Sequence, residues 1–258
     1  MEHTKEATFI KIGVAGAQGR MGQRVIVLSQ LDFATKPKPR SQVIGALIRP
    51  GSLTENAFTD RHINDLCLVD DQDKAFRDVE VIIDFTTPTG ALENTQYAAE
   101  NGKAIVIGTT GFTDSQMASI KMLAKKIPIL VAPNMAIGVT LILEMLEVFG
   151  GILNHFYDTR IIESHHRRKK DSPSGTAIAM AGKMPTEVPI YSFRSGGIIG
   201  DHTIIFTGEE EVIEIKHRAI SRDLFARGAL AAAECLVKMK PGMYTMQNLL
   251  NNNSTKGV

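Results

Sequence analysis

The first half of the chain alternates short apolar runs with longer segments in which apolar residues recur at helical spacing. The apolar runs predict buried strands at residues 9–14, 43–48, 79–85, 104–107 and 127–131. The helical spacing predicts helices at residues 24–31, 88–101 and 114–126, whereas residues 51–78 are predicted to be irregular. Strands that alternate with helices are typical of a parallel sheet with crossover helices, so the pattern predicts an α/β domain.

The second half has a different pattern. Residues 135–149 are apolar almost all round a helix, with Thr140, Glu144 and Glu147 as one polar stripe, which predicts a mostly buried helix between layers or domains. A strand is predicted at 157–163, a helix at 172–183, a hairpin of strands 202–207 and 211–217 turning at Gly208 and Glu209, and a helix at 222–238. These partly antiparallel strands indicate a second, α+β domain from about residue 135 onward. The short tail is expected to pack back on the first domain.

The composition is that of an ordinary globular protein, with 43% apolar and 22% charged residues among 258. A net charge of +1 provides no broad field for nucleic acid or an acidic membrane, and neither partner is expected. The longest apolar stretch, residues 135–143, is shorter than the roughly 20 residues of a membrane span. Two distant cysteines, Cys67 and Cys235, and the lack of a signal-peptide pattern favour a reduced protein in the cytoplasm.

A glycine-rich segment, GAQGRMG at residues 16–22, follows the first predicted strand and opens a helix. Glycine lets backbone amides approach a pyrophosphate closely and lets the helix pack tightly on the strand. The segment therefore predicts a dinucleotide site, although its spacing also fits a plain tight turn between strand and helix. Two later strand ends, DFTTP at residues 84–88 and GTTG at 108–111, are expected to line the same crevice.

The end of the second predicted strand bears on the choice of cofactor. Dinucleotide-binding folds often have an acid there for the ribose hydroxyls, but this chain has Ile48 followed by Arg49. An arginine can pair with a 2′-phosphate, which favours NADPH over NADH. An exposed turn residue beside Pro50 is the alternative interpretation.

The most specific local signal is the basic segment ESHHRRKKDSPSGT at residues 163–176. Its cations stand between a predicted strand and a helix, with Pro173 suited to the first helical position and amides near residues 174–176 free to face an anion. This combination predicts a carboxylate site. A solvated basic loop stays open as an alternative, whereas nucleic acid and a histidine metal site are weaker ones, so no metal is expected.

Taken in order, GAQGRMG, DFTTP, GTTG, APNMAIGV and IIESHHRRKKDSPSGTA closely resemble the dihydrodipicolinate reductase family over nearly the whole chain. The resemblance implies an NAD(P)H-dependent reductase of the diaminopimelate route to lysine, usually a homotetramer. It implies a Rossmann-like cofactor domain over residues 1–134, with the tail 239–258, and a mixed-sheet domain for substrate and oligomerisation over residues 135–238. Hydride would add at ring carbon 4 of a small cyclic dicarboxylate, and the resulting enamine would then gain a proton.

The resemblance also implies roles for particular residues. His165 would be the catalytic acid or base and Lys169 the proton donor, while the substrate carboxylates would be held by His166, Gly175 and Thr176. The implied cofactor-binding residues are Gly16, Ala17, Gln18, Gly19, Arg20, Met21, Arg49, Phe85, Thr86, Gly108, Thr109, Thr110, Ala132, Pro133, Asn134 and Met135.

The chain departs from the family pattern at two places that matter. Ile48 replaces the acid that members using both cofactors often carry, and residues 182–194 form a shorter segment than in many members, which affects the expected tetramer geometry. Two other functions stay open on the sequence alone. One is a different two-domain NAD(P)-dependent dehydrogenase, and the other is a non-catalytic NADPH sensor.

Overall fold

The computed structural model describes residues 9–52, 66 and 68–254, so Cys67 and residues 53–65 of the segment predicted to be irregular lie outside the described residues. The chain divides into two compact units. The first contains the residues up to 135 and those from 225 onward, and the second contains residues 136–224.

The strands and helices are defined here in chain order. The strands are β1 (Ile10–Ala15), β2 (Ser41–Leu47), β3 (Leu68–Val69), β4 (Val81–Asp84), β5 (Ala104–Ile107), β6 (Pro128–Val131), β7 (Asp158–His165), β8 (Ile190–Arg194), β9 (Asp201–Thr207), β10 (Val212–Arg218) and β11 (Gly242–Tyr244). The helices are α1 (Arg20–Thr35), α2 (Gln72–Phe76), α3 (Pro88–Glu100), α4 (Asp114–Leu123), α5 (Ile137–Phe156), α6 (Gly175–Ala181), α7 (Asp223–Leu236) and α8 (Met246–Ser254).

The first unit is built on a seven-stranded sheet in the order β11-β6-β5-β4-β1-β2-β3, with every pair parallel. Its central strands β4, β5 and β6 are apolar at nearly every position because both faces are covered: Ile82 and Ile83 are each fully buried, in different apolar clusters. The prediction of a Rossmann-like parallel-sheet domain is therefore confirmed. The tail contributes β11, whose Gly242 pairs with Pro128 of β6.

Three elements of the first unit differ from the sequence prediction. The segment predicted to be irregular contains β3 and α2, which are too short to show a clear period. Helix α7 is predicted to belong to the second domain, but from residue 225 onward it lies in the first unit. Its small buried residues Ala226, Ala229 and Ala233 pack into the same apolar cluster as β1 and β4.

The second unit is built on a four-stranded mixed sheet in the order β10-β9-β7-β8. The predicted hairpin is confirmed, because β9 and β10 pair antiparallel from Thr207 and Val212 onward. Strand β8 was not predicted. It is an edge strand with exposed Tyr191 and Phe193, and it pairs parallel to β7, so its apolar pattern is not that of a buried strand.

The start of α6 differs from the predicted one. The helix begins at Gly175, and the Ser174 side chain caps it by accepting a hydrogen bond from the Ala177 amide. Pro173 therefore lies before the cap and not at the first helical position.

The prediction that the apolar helix is mostly buried was wrong. Helix α5 buries Leu146 against the mixed sheet, but Val148 and Phe156 are 64% and 70% exposed. Among the described residues, α5 is long and apolar enough to cross a membrane by length and composition. Its packing against Ile161 and Phe206 assigns it to the folded second unit. A helix that is apolar on all sides has no amphipathic pattern, so its sequence does not indicate which side packs against the sheet.

Candidate active site

The carboxyl ends of β1, β2 and β4 border a cavity of about 1080 Å³ in the first unit. Six of the cofactor residues implied by the sequence line it, namely Gly16, Gln18, Gly19, Arg49, Phe85 and Thr86. Acidic residues that the sequence did not point to also line it, contributed by the β3–α2 connection and by α3, and these are Asp70, Asp71, Glu93 and Glu100.

The turn after β1 requires glycine for steric reasons. Gly16 has φ +76°, and a Cβ there would lie 2.6 Å from the carbonyl oxygen of Phe85. A Cβ on Gly22 would collide with the Gly16 carbonyl, so the turn and the first turn of α1 are in direct contact.

The amides that could hold a phosphate lie at the start of α1. Gly19 is the N-cap of this 16-residue helix and provides no capping side chain, which leaves the amides of Arg20 and Met21 facing outward at the positive end of the helix dipole. The amides of Gly16 and Ala17 instead donate to the Leu47 carbonyl, at 3.1 and 3.0 Å. The geometry therefore fits a dinucleotide pyrophosphate at residues 19–21.

The segment that follows β2 is attached to the glycine turn. Gln18 Nε2 donates to the Ser52 carbonyl at 2.8 Å, and Ser52 Oγ lies 2.9 Å from Gln18 Oε1 and 2.6 Å from the Arg49 carbonyl. Arg49 itself is exposed at the cavity. These contacts keep the Arg49 backbone close to the turn expected to hold the pyrophosphate.

Asp84, the last residue of β4, connects the loop that follows β4 to helix α3 and to the loop that follows β5. Its fully buried carboxylate accepts hydrogen bonds from the Thr86 amide at 3.0 Å, from Asn94 Nδ2 at 2.7 Å and from Thr109 Oγ1 at 2.8 Å. Burial raises the pKa of Asp84, and these hydrogen bonds only partly oppose that shift. Asp84 opens the DFTTP segment expected to line the crevice, but the sequence assigned it no role of its own, although a carboxylate ending an apolar strand was a usable signal.

The remaining implied cofactor residues follow β5 and β6. Gly108 has no room for a Cβ because the Phe85 ring occupies that position, and its amide donates to the Asp84 carbonyl at 2.9 Å. Thr110 and Pro133 are exposed and Asn134 is half-buried. Ala132 and Met135 are buried in the apolar cluster of the first unit, so the Met135 side chain belongs to that core.

In the second unit, β7 ends on a buried carboxylate and a histidine. His165 Nδ1 lies 2.5 Å from Glu163 Oε2, and Arg194 holds both oxygens of Glu163 at 2.9 and 2.8 Å. Burial raises the pKa of Glu163, but the hydrogen bonds from Arg194 and His165 outweigh it and lower that pKa to about 2. Burial also lowers the pKa of His165, an effect that Glu163 opposes and the charges of Lys169 and Arg194 reinforce.

A second buried histidine packs against the first. The His202 ring meets the His165 ring edge-on at 5.0 Å, and His202 Nε2 lies 2.9 Å from Ser174 Oγ. Burial and the neighbouring His165 lower the pKa of His202 to about 4, so it is neutral at pH 7. The sequence assigned no role to Glu163, although this residue opens the basic segment, and it did not single out Arg194 or His202, whose contacts join different strands.

The other implied substrate residues follow β7 in the chain. Lys169 Nζ pairs with Asp171 at 2.8 Å, and His166 Nδ1 is buried without a hydrogen-bond partner. Gly175 is exposed, and a Cβ at this position would meet no other atom within 4 Å, while Thr176 is half-buried. Within the described residues, no cluster of three or more histidine, cysteine or acidic side chains is arranged to hold a metal ion.

A parallel sheet whose glycine turn fits a dinucleotide pyrophosphate, together with a second unit that carries a buried carboxylate–histidine pair, is the arrangement expected of a dinucleotide-dependent oxidoreductase. Family models described as Dihydrodipicolinate reductase, N-terminus, and Dihydrodipicolinate reductase, C-terminus, match residues 10–135 and 138–250. The chain therefore belongs to the dihydrodipicolinate reductase family and is an NAD(P)H-dependent oxidoreductase.

Individual relatives agree with this assignment. The 4-hydroxy-tetrahydrodipicolinate reductases of Citrifermentans bemidjiense and Geobacter sulfurreducens are each 38% identical to this chain over 93% of it and 98% of their own length. Dipicolinate-bound dihydrodipicolinate reductase from Paenisporosarcina sp. TG-14 has a TM-score of 0.75 and 26% identity over 93% of this chain and 99% of that one. An amine dehydrogenase from Mycobacterium smegmatis, 12% identical over 93% of this chain and 96% of that one, shares the fold with a TM-score of 0.62.

Proposed function

We propose that this protein reduces 4-hydroxy-tetrahydrodipicolinate to tetrahydrodipicolinate in the diaminopimelate route to lysine. The observation that carries the proposal is the Glu163–His165 pair at the end of β7, 2.5 Å apart and directly followed by the basic segment with Lys169. Other two-domain dehydrogenases of similar fold would share the glycine turn without this segment.

The chemistry is divided between cofactor and protein. A reduced dinucleotide bound in this cavity would supply the hydride that ring carbon 4 receives once the substrate hydroxyl group has left as water. The amides of Arg20 and Met21 hold the pyrophosphate, and the Asp84-linked loops, with Phe85, Thr86 and Thr109, line the nicotinamide side. These residues orient the cofactor and take no part in proton transfer.

The second unit binds the substrate and transfers the proton. Hydride addition leaves an enamine, and its neighbouring ring carbon gains a proton from Lys169, with His165 as the acid or base that assists. Such a positioned proton transfer contributes about 10²- to 10⁴-fold to the rate. His166, Gly175 and Thr176 hold the two carboxylates, a role that the otherwise unpartnered His166 Nδ1 supports.

The direct test is oxidation of NADPH with freshly generated substrate, made by the coupled synthase and followed at the nicotinamide absorbance band. Lys169→Ala and His165→Ala are expected to lower kcat by about 10²-fold or more. Lys170→Ala is the matched control, because Lys170 is an exposed cation of the same segment, and it is expected to keep kcat within twofold. If both variants oxidised NADPH as fast as the wild type, the roles of Lys169 and His165 would be contradicted. If the wild type bound NADPH tightly but did not oxidise it with this substrate, the proposed reaction would be contradicted.

NADPH is the proposed preferred cofactor, with NADH as a second one. The support is the exposed Arg49 guanidinium at the cavity, beside a segment attached to the glycine turn through Gln18. Arg49→Ala is expected to raise KM for NADPH at least tenfold and to leave KM for NADH within twofold, with the exposed Lys38→Ala as the control. Equal loss with both cofactors would contradict a 2′-phosphate contact.

The family resemblance also implies a homotetramer in the cytoplasm. Exposed apolar side chains of the second unit support self-association, since Val148, Phe149 and Phe193 are 64%, 54% and 55% exposed. Sedimentation equilibrium is expected to give four times the mass of the 28.2 kDa chain. A monomer, or recovery of the protein with membranes after cell fractionation, would contradict this part of the proposal.

A further inference from the structure

We propose that the buried Glu163–Arg194 ion pair is the positioning device of His165, fixing its ring so that Nδ1 carries the proton and Nε2 is the nitrogen presented to substrate. The inference rests on the proposed function only for what Nε2 does there. Its structural content, the tautomer and orientation of His165, stands on contacts within the second unit.

The carboxylate of Glu163 is completely buried and each oxygen has two donors. Oε2 lies 2.5 Å from His165 Nδ1 and 2.9 Å from Arg194 Nη1, while Oε1 lies 2.8 Å from Arg194 Nη2 and 3.2 Å from the Ser174 amide. An ionised carboxylate can only accept, so His165 Nδ1 must be the protonated ring nitrogen. In neutral His165 the lone pair therefore lies on Nε2.

Arg194 keeps that carboxylate charged and stationary. Besides the two contacts with Glu163, its guanidinium donates to the Asp171 and Phe193 carbonyls, both at 2.7 Å. A buried carboxylate without such a partner would take up a proton and become a donor itself. Strand pairing supports the arrangement, because His165 of β7 and Arg194 of β8 are register partners.

The lack of a side chain at Gly200 leaves space beside Nε2 of the His165 ring. A Cβ at this position would lie 3.1 Å from His165 Nε2, so any larger residue would crowd the nitrogen assigned to substrate. The other ionisable groups that act on His165 are Lys169, in the segment after β7, and His202 of β9, which packs against its ring. His202 is neutral at pH 7, with a pKa of about 4, so Glu163 is the one anion in this set.

Glu163→Gln tests the tautomer of His165, because it replaces one of the two accepting oxygens by an NH₂ group that can only donate. An amide NH₂ in place of Oε1 would oppose two donors that cannot change, Arg194 Nη2 and the Ser174 amide. In place of Oε2 it would oppose Arg194 Nη1 and His165 Nδ1, and the histidine can respond by moving its proton to Nε2. The variant is therefore expected to convert His165 to the Nε2–H form.

The experiment combines histidine ¹⁵N NMR with kinetics on the intact protein. His165, assigned by the signal lost in His165→Asn, is expected as the Nδ1–H tautomer in the wild type and as Nε2–H in Glu163→Gln. The variant should lose at least tenfold in kcat with NADPH affinity within twofold. Arg218→Met is the matched control, because Arg218 pairs at 2.7 Å with Asp201 on the surface of the same sheet, and no change is expected.

Two further variants keep the inference testable if Glu163→Gln fails to fold. Gly200→Ala is expected to lower kcat at least tenfold while leaving the Nδ1–H signal in place, and Arg194→Lys should retain part of the activity because the charge remains. An Nε2–H wild type, or an unchanged tautomer in folded Glu163→Gln, would overturn the positioning role. The expected tautomers in a protein that does not oxidise NADPH with this substrate would contradict the proposed function and leave the positioning role intact.

Discussion

Removal of the Asp84 carboxylate tests the idea that one buried group holds the loops of the cofactor cavity together. In Asp84→Ala, the Asn94 amide and the Thr109 hydroxyl lose their acceptor, at present 2.7 and 2.8 Å away. Both residues are buried, with 3% and 7% of their surfaces exposed, so water does not readily replace the carboxylate. The Thr86 donors are half-buried and can turn to water.

The expected loss follows from these two donors. An unsatisfied buried donor costs about 1–3 kcal/mol, so two cost about 2–6 kcal/mol. The loss is reduced because the variant no longer buries a carboxylate, whose raised pKa shows that its hydrogen bonds do not fully offset burial. We expect the free energy of unfolding of Asp84→Ala to be about 3 kcal/mol lower than that of the wild type. Asp84→Asn should lower the free energy of unfolding by less. The side-chain amides of Asn94 and Gln72, hydrogen-bonded at 2.7 Å, can both rotate by about 180° so that Asn94 accepts from the new amide at position 84.

Urea unfolding at pH 7, followed by circular dichroism, measures this change, and fluorescence titration with NADPH measures its effect on the cavity. Asp73→Ala is the control, because it removes an exposed carboxylate with one hydrogen bond from Tyr97, 3.0 Å long. It is expected to cost less than about 1 kcal/mol. NADPH affinity should fall at least tenfold in Asp84→Ala alone. Equal stability of the two variants, or unchanged NADPH affinity, would refute the reasoning.

Two other predictions concern acid stability and the glycine turn. The pKa of His202 is lowered to about 4 in the folded protein, compared with about 6.5 in the unfolded chain. The contribution of neutral His202 to the free energy of unfolding is therefore complete above about pH 6.5 and is lost as the pH falls towards 4. Urea unfolding at pH 7 and 4.5 should show a loss of about 2 kcal/mol that His202→Gln removes, and an unchanged pH slope would contradict it. Gly22→Ala forces a methyl group onto the Gly16 carbonyl, so NADPH affinity should fall at least tenfold, whereas Gly197→Ala, which meets open space, should bind normally.

Much of the first unit was predictable because its signals are local. A strand buried on both faces must be apolar at every position, as the VIID segment that forms β4 shows up to its terminal Asp84. The glycine turn was equally visible, because only glycine fits positions such as Gly16, where φ is +76°. The order of motifs along the chain was enough to identify the family and the reductase class.

The sequence by itself therefore determined the parallel sheet, the glycine turn after its first strand and the position of the basic segment at a strand end. Tertiary structure alone decided which side of α5 packs against the mixed sheet. Val148 and Leu146 are both apolar, so the sequence does not indicate that Leu146 is buried and Val148 exposed. Tertiary structure also decided the partners of Glu163, because Arg194 lies 31 residues away and reaches it only when β8 pairs with β7. Hydrophobic periodicity records which residues leave water, whereas strand register determines which of the buried polar groups meet.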